Sequence, residues 1–193
     1  MKKRIYYYIL FLLSAYVVSC KDDIPDNETP DNPEPVDELI FPKKEMRSVW
    51  ITTAWGLDWP MGKYGVQAQK EQYIQYLERF KQLNINSIIF QIKPMGDAFY
   101  NSPYEPWSVS ITGERGKDPG YNILEFLIEE AHKRDIEFHA WMNPYRIATR
   151  ANNNTSYPPL HSSIKPDWIV SHEKIQIYNP ALPEVRQRLA DIV

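Results

Sequence analysis

The feature that most constrains this chain is an alternation of hydrophobic period beginning near residue 46. Short apolar, β-branched runs alternate with longer segments patterned at the period of a helix. Arg47–Thr53 (RSVWITT) reads as a strand, and Gln67–Leu83 as a helix with Tyr73, Ile74, Leu77, Phe80 and Leu83 on one stripe. Asn86–Lys93 (NSIIFQIK) reads as a second strand, stopped by Pro94. Asn122–Arg134 is a second helix, with Ile123, Leu124, Leu127, Ile128 and Ala131 on its apolar face. Lys133 and Arg134 suit the negative end of its dipole. Ile136–Asn143 (IEFHAWMN) is a third strand, stopped by Pro144. A long loop rich in Asn and Pro follows, and Asn179-Pro180 opens a third helix with Val185, Leu189 and Ile192 facing inward.

Such alternation calls for a parallel sheet with right-handed crossovers. Neither G-x-G-x-x-G nor a Walker sequence is present, so no nucleotide fingerprint supports a doubly wound fold. The remaining common architecture is the (β/α)₈ TIM-like barrel, which takes ~250 residues. The expectation for 46–193 is therefore an α/β fold, the three N-terminal βα units of a truncated barrel, with sheet edges left unpaired.

The preceding residues read as an address and a tether. Lys2, Lys3 and Arg4 form a basic start, and Ile5 to Val18 carries no charge. As a helix this run would rise ~21 Å, short of a ~30 Å hydrocarbon core, so it reads as a secretory h-region. Val17-Val18-Ser19-Cys20 resembles a bacterial lipobox, which assigns residues 1–19 to a lipoprotein signal peptide and Cys20 to lipidation. Residues 20–45 are acidic and proline-rich, a composition that cannot bury enough apolar surface to offset its ordering entropy. The expected location is the bacterial cell envelope, lipid-anchored to the outer membrane or cell surface.

Composition excludes several classes. A formal charge of −3 lacks the basic excess that phosphate-driven nucleic-acid binding requires. One cysteine excludes a disulfide framework and a cysteine-rich zinc site. His132, His139, His161 and His172 show no H-x-x-x-H or H-E-x-x-H spacing, so no metal is expected, and no cofactor motif appears. G-x-S-x-G is absent, which removes the nucleophile elbow of a serine hydrolase. Two N-glycosylation matches at Asn153 and Asn154 are chance in a bacterial lipoprotein.

The strand ends carry the candidate chemistry. In the third strand His139, Trp141 and Asn143 share one face, and Phe138, Ala140 and Met142 the other. Gln91 and Lys93 share a face near the end of the second strand. In barrels the C-terminal rim is where active sites are built. The loops that follow add Trp55, Asp58, Trp59, Asp97, Tyr100, Trp107, Tyr145 and Arg146. Aromatic rings beside Asp, Asn and Arg suit a sugar, the rings covering its C–H face and the polar groups bonding its hydroxyls. The expected substrate-binding set is Trp59, Gln91, Lys93, Asp97, Tyr100, Trp107, His139, Trp141, Asn143, Tyr145 and Arg146. A satisfied polar core network is the structural alternative for the strand ends, and loop packing for the aromatics.

Several segments together resemble glycosyl hydrolase-like family 10, a bacterial envelope family of barrel proteins. They are Arg47-Ser-Val-Trp50, Trp59-Pro60, Gln91-Ile-Lys-Pro-Met-Gly-Asp97-Ala, Tyr104-Glu-Pro-Trp107-Ser, Ala131-His-Lys-Arg134 and His139-Ala-Trp141-Met-Asn143-Pro-Tyr145-Arg146. Asn179-Pro180 and Pro183-Glu184-Val185-Arg186 continue the resemblance. The family pattern has Arg at Lys93 and Gly at Asp135; the first change loses a bidentate fork, and the second falls on a turn that Asp tolerates. The resemblance implies glycosidic hydrolysis, on peptidoglycan glycan strands lacking stem peptides, with the main acidic motif after a fourth strand beyond Val193. No acid or nucleophile is assigned among Asp58, Asp97, Glu105 and Glu114, and Asp97 is expected to position substrate or to orient Arg146 or Lys93. The expectation is a glycosidase in the full-length protein and inactivity in this chain alone. The alternatives are a non-catalytic carbohydrate-binding surface lipoprotein and a self-contained small α/β interaction domain.

Overall fold

The computed structural model describes residues 45–193 apart from 151 and 153. The signal-peptide segment 1–19, Cys20 and the tether up to residue 44 lie outside the described residues.

Three parallel strands form the first sheet, in the order β1-β2-β3: β1 Ser48–Ile51, β2 Ser87–Lys93 and β3 Glu137–Met142. Helix α1 (Val66–Gln82) connects β1 to β2. The return from β2 holds a short helix α2 (Val109–Thr112) and then α3 (Ile123–His132). Both long helices end where Arg79 and Lys81, or His132, meet the negative end of the dipole. Asn84 and Asp135 then turn the chain with φ of 57° and 58°. That left-handed conformation strains most side chains, and Asn and Asp bear it best. The Asn122 carboxamide oxygen accepts from Glu125 N at 3.2 Å and fixes the start of α3.

One face of the sheet packs against these helices. Ile51, Ile88, Phe90 and Ile92 meet Tyr73 and Leu77 of α1 and Ile123, Leu127 and Ala131 of α3. Phe90 sits at the centre, with Trp59, Tyr73 and Phe138 rings at 5.6, 5.7 and 5.8 Å. The alternate residues form the opposite face, where Trp50 is 60% exposed and meets Trp141 edge-on at 5.0 Å.

After β3 the chain departs from its reading as a long loop. It forms a second sheet, antiparallel and ordered β4-β6-β5, from β4 Arg146–Thr149, β5 Ile169–His172 and β6 Ile175–Tyr178. Each strand has four residues, and the tight turn at Glu173 and Lys174 lacks the Asn-Gly signal of a hairpin, with Glu173 itself at φ 48°. Helix α4 runs Pro183–Ile192, not from Asn179, because the Asn179 side chain accepts from Ala181 N at 3.0 Å and makes a separate turn. Pro183 supplies the preset first helical residue. Val185, Leu189 and Ile192 face a second core with Ile147, Ala148, Trp168 and Tyr178. The fold is thus mixed α/β around a parallel sheet, with an antiparallel unit inserted where loop was expected. Among the described residues, no helix is long and apolar enough to cross a membrane.

Candidate functional site

The ends of the parallel strands are bound to each other by polar side chains. The Gln91 carboxamide oxygen accepts three donors from the chain leaving β1: Thr52 Oγ1 at 2.8 Å, Thr53 N at 3.0 Å and Ala54 N at 3.0 Å. Thr53 Oγ1 donates to Gln91 O at 2.8 Å, and Thr52 N to Asp58 Oδ2 at 2.8 Å. Across β3, Trp141 Nε1 donates to Asn143 Oδ1 at 2.9 Å, and Asn143 Nδ2 donates to Pro94 O at 3.2 Å. Gln91 and Asn143 therefore brace neighbouring strand ends. A sheet leaves backbone groups unpaired where its strands diverge, and these carboxamides satisfy them.

Below this layer lies a buried ionic cluster. Lys93 Nζ is 3.3 Å from Glu105 Oε1, both side chains fully buried, and donates to Met95 O at 2.6 Å. Tyr178 OH donates to the same Glu105 oxygen at 3.2 Å, and Arg188 Nη2 donates to Tyr104 O at 2.8 Å. Burial pulls the Lys93 ammonium below its ordinary value, with Glu105 opposing. The cluster fastens the loop after β2 to the second sheet and α4. Gly96 completes the join: its N–H donates to Ile147 O at 2.8 Å, and a Cβ would meet that oxygen at 3.0 Å.

At the rim opens a cleft of about 300 Å³, walled by Ala54 and Trp55 after β1, by Pro94, Met95, Asp97, Ser108–Ser110 and Arg115 after β2, and by Thr149 at the end of β4 with Pro158 and Pro159 beyond it. The first two walls leave the C-terminal ends of parallel strands, and the third belongs to the second sheet. Trp55 is 63% exposed, with φ 54°. A bulky residue in this conformation is costly, and such strain collects at functional sites. Asp97 Oδ2 faces Arg115 Nη1 at 3.4 Å, and Arg115 Nη2 donates to Gly96 O. Asp97 is 5% exposed; burial raises its carboxyl above the usual range, with Arg115 the main opposing influence.

The expected site residues separate into groups. Asp97 lines the cleft, but its partner is Arg115, not Arg146 or Lys93, because the loop returns through Gly113 and Gly116 at φ 80° and 82°. Gln91, Lys93, Trp141 and Asn143 lie at the rim as braces or beneath it. Trp59 is a core residue, fully buried, its indole N–H donating to Gln69 O at 3.2 Å. It cannot meet a sugar, because Phe90 and Phe99 cover it. Tyr100 packs on the same core, and burial pushes its hydroxyl up to about 12. His139 is on the open sheet face, with Nε2 3.5 Å from a Glu137 oxygen. Tyr145 is exposed, and Arg146 opens β4, its guanidinium without a partner among the described residues. Trp107 does not line the cleft and belongs to a separate groove.

Sequence reasoning missed Arg115 and undervalued Trp55. The available signal was the length of the β2–α3 connection, roughly thirty residues, since long loops inside compact domains are usually functional. Among the described residues, no group of three or more His, Cys, Asp or Glu side chains could hold a metal ion.

Residues 45–193 match the family Glycosyl hydrolase-like 10. "Glycosyl hydrolase YngK" of Bacillus subtilis (strain 168) is 46% identical over 145 residues, covering 74% of this chain and 28% of the relative. "Glycosyl hydrolase DigH" of Escherichia coli (strain K12) is 32% identical over 204 residues, covering 96% of this chain and 46% of the relative. The chain thus spans less than half the length of these curated relatives. With a match extending over the whole of its described fold, this chain belongs to the Glycosyl hydrolase-like 10 family.

Proposed function

We propose that this chain forms the first part of a (β/α)₈ glycoside hydrolase acting on envelope polysaccharide, with peptidoglycan glycan strands lacking stem peptides as substrate. The observation that carries the reading is the cleft at the C-terminal ends of β1 and β2, whose lining holds a strained, exposed Trp55 together with the Asp97–Arg115 pair. Trp55 offers an aromatic plane to the C–H face of a pyranose, and Arg115 and Asp97 offer a donor and an acceptor to its hydroxyls. Lipidation of Cys20 would hold the protein at the envelope membrane.

Glycosidases flank the scissile bond with two carboxyl groups, ~5–5.5 Å apart for retention and ~6.5–9.5 Å for inversion. Among the described residues Asp97 is the carboxylate lining the cleft. Asp58 is committed to Thr52 N, and Glu105 to Lys93. On this reading a catalytic carboxylate comes from outside residues 45–193, and the chain alone is inactive.

The test is digestion of purified glycan strands by the 193-residue chain and by the complete open reading frame containing it. The expected result is product release by the longer protein alone, abolished or strongly reduced by Trp55→Ala. Release by the short chain, or full activity of Trp55→Ala, overturns the reading. A carbohydrate-binding protein without hydrolysis is the second reading, favoured by the commitment of Asp58 and Glu105 to structural partners. It predicts glycan retention by the longer protein with no product.

A further inference from the structure

The loop after β2 builds a second concavity, which shares no lining residue with the cleft of the Asp97–Arg115 pair. This groove, of about 460 Å³, is lined by Asn101, Trp107, Asp118, Gly120, Tyr121 and Asn122. We propose that it is an ancillary sugar site, holding one pyranose unit of a glycan whose other units extend beyond it. The ligand class follows the proposed function, while the groove rests on its own residues.

The walls are fixed before any ligand arrives. The Trp107 main chain bridges to Ala98, and its carbonyl accepts from Gly116 N at 2.9 Å. Tyr121 OH donates to the buried Gln69 Oε1 at 2.9 Å, so the hydroxyl is spent on the fold, and Lys70 Nζ covers one face of the ring at 4.9 Å, leaving its other face to the groove. Gln69 itself is held by donating to Lys63 O and Ile111 O, each at 2.6 Å. Preset aromatic walls cost little ordering entropy on binding.

The polar atoms are only half used. Asp118 Oδ1 accepts from Gly120 N at 2.7 Å, and Asn122 Oδ1 from Glu125 N at 3.2 Å. That leaves Asp118 Oδ2, Asn122 Nδ2, the Asn101 carboxamide and the Trp107 indole N–H without partners among the described residues. Donors and acceptors interleaved around aromatic rings match the alternating C–H and hydroxyl faces of a pyranose. A phosphorylated ligand meets a carboxylate here, while the nearby Lys70 ammonium is turned onto the Tyr121 and Phe126 rings at 4.9 and 5.0 Å. A β-augmenting peptide finds no edge, because the lining comes from loop and helix cap.

The experiment is titration calorimetry of the full chain with the β-1,4-linked tetramer of N-acetylglucosamine, against Trp107→Ala, Trp107→Phe and Asn101→Ala in the groove and Arg115→Met in the cleft. Trp107 also touches the core, so the Phe variant and the exposed Asn101 keep the test open if the Ala variant unfolds. The proposal expects wild-type binding weakened about tenfold or more by Trp107→Ala, measurably by Asn101→Ala, and persisting in Arg115→Met. Binding lost in Arg115→Met and unchanged in the groove variants overturns the ancillary site while leaving the cleft reading intact. Absence of binding by the wild-type chain also overturns it, and the digestion experiment then judges the cleft separately.

Discussion

Gln91→Leu is the sharpest probe of how the rim is built. Leucine keeps the apolar stem and approximate volume but removes the oxygen that receives Thr52 Oγ1, Thr53 N and Ala54 N. The Thr52 hydroxyl is part-buried and can turn to water, but the two backbone donors are buried and cannot. Each buried donor left unpaired costs ~1–3 kcal/mol, so two give a loss of about 4 kcal/mol. Against a typical domain stability of ~5–15 kcal/mol this is large. In urea, where m is ~1–3 kcal/mol per molar, the midpoint falls by about 2 M. The control is Gln91→Glu, which keeps an acceptor for the same donors and is expected to lose less than half as much at neutral pH. A Leu variant within about 1 kcal/mol of wild type, or a Glu variant as damaged as the Leu variant, refutes the account. The same substitution frees Ala54 and Trp55, so on the proposed function sugar binding is expected to fall along with stability.

Other perturbations test neighbouring parts. Lys93→Met leaves Glu105 buried with Tyr178 OH as its remaining donor and is expected to cost about 3–5 kcal/mol in a denaturant melt, most of it recovered in Lys93→Met/Glu105→Leu. Asp97 has its carboxyl raised in the fold by burial, so its contribution to stability is full below the unfolded pKa near ~3.9 and is lost as pH rises through the folded value. The stability advantage of wild type over Asp97→Asn is therefore expected to be larger at low pH than at pH 7, measured by urea melts at both; an advantage that grows with pH contradicts the assignment. Trp55→Gly removes a left-handed tryptophan and is expected to raise stability by up to about 1 kcal/mol while weakening sugar binding in calorimetry.

The parts of the fold legible in the sequence are those where one period dominates. The α1 and α3 stripes and the apolar runs of β2 and β3 come within a few residues of the observed elements. The position of Asp135 between a helical stripe and an apolar run places it on a turn, and it adopts φ 58°. The second sheet was not legible, because four-residue strands carry too few alternations to separate from loop. Its stability comes from tertiary partners that no local window contains: Met142 and Tyr104 from upstream, and α4 from downstream.

The site was less legible than the fold, for a reason that follows from desolvation. Polar residues at strand ends look ligand-facing in a sequence, because a polar group in an apolar run needs a purpose. The first claim on such a group comes from the backbone, which diverges there and leaves N–H and C=O groups that burial would orphan. Gln91, Lys93 and Asn143 are spent on that claim. On the proposed function, ligand chemistry then falls to residues one layer further out, on turns held by the braces: Trp55 next to the Gln91-bound amides, and Arg115 between two left-handed glycines. The pattern yields a reading rule for a βα rim. A carboxamide or ammonium within two residues of a strand's C-terminal end is a brace first. The candidate ligand contacts are the aromatic and charged residues of the loop that the brace holds in place.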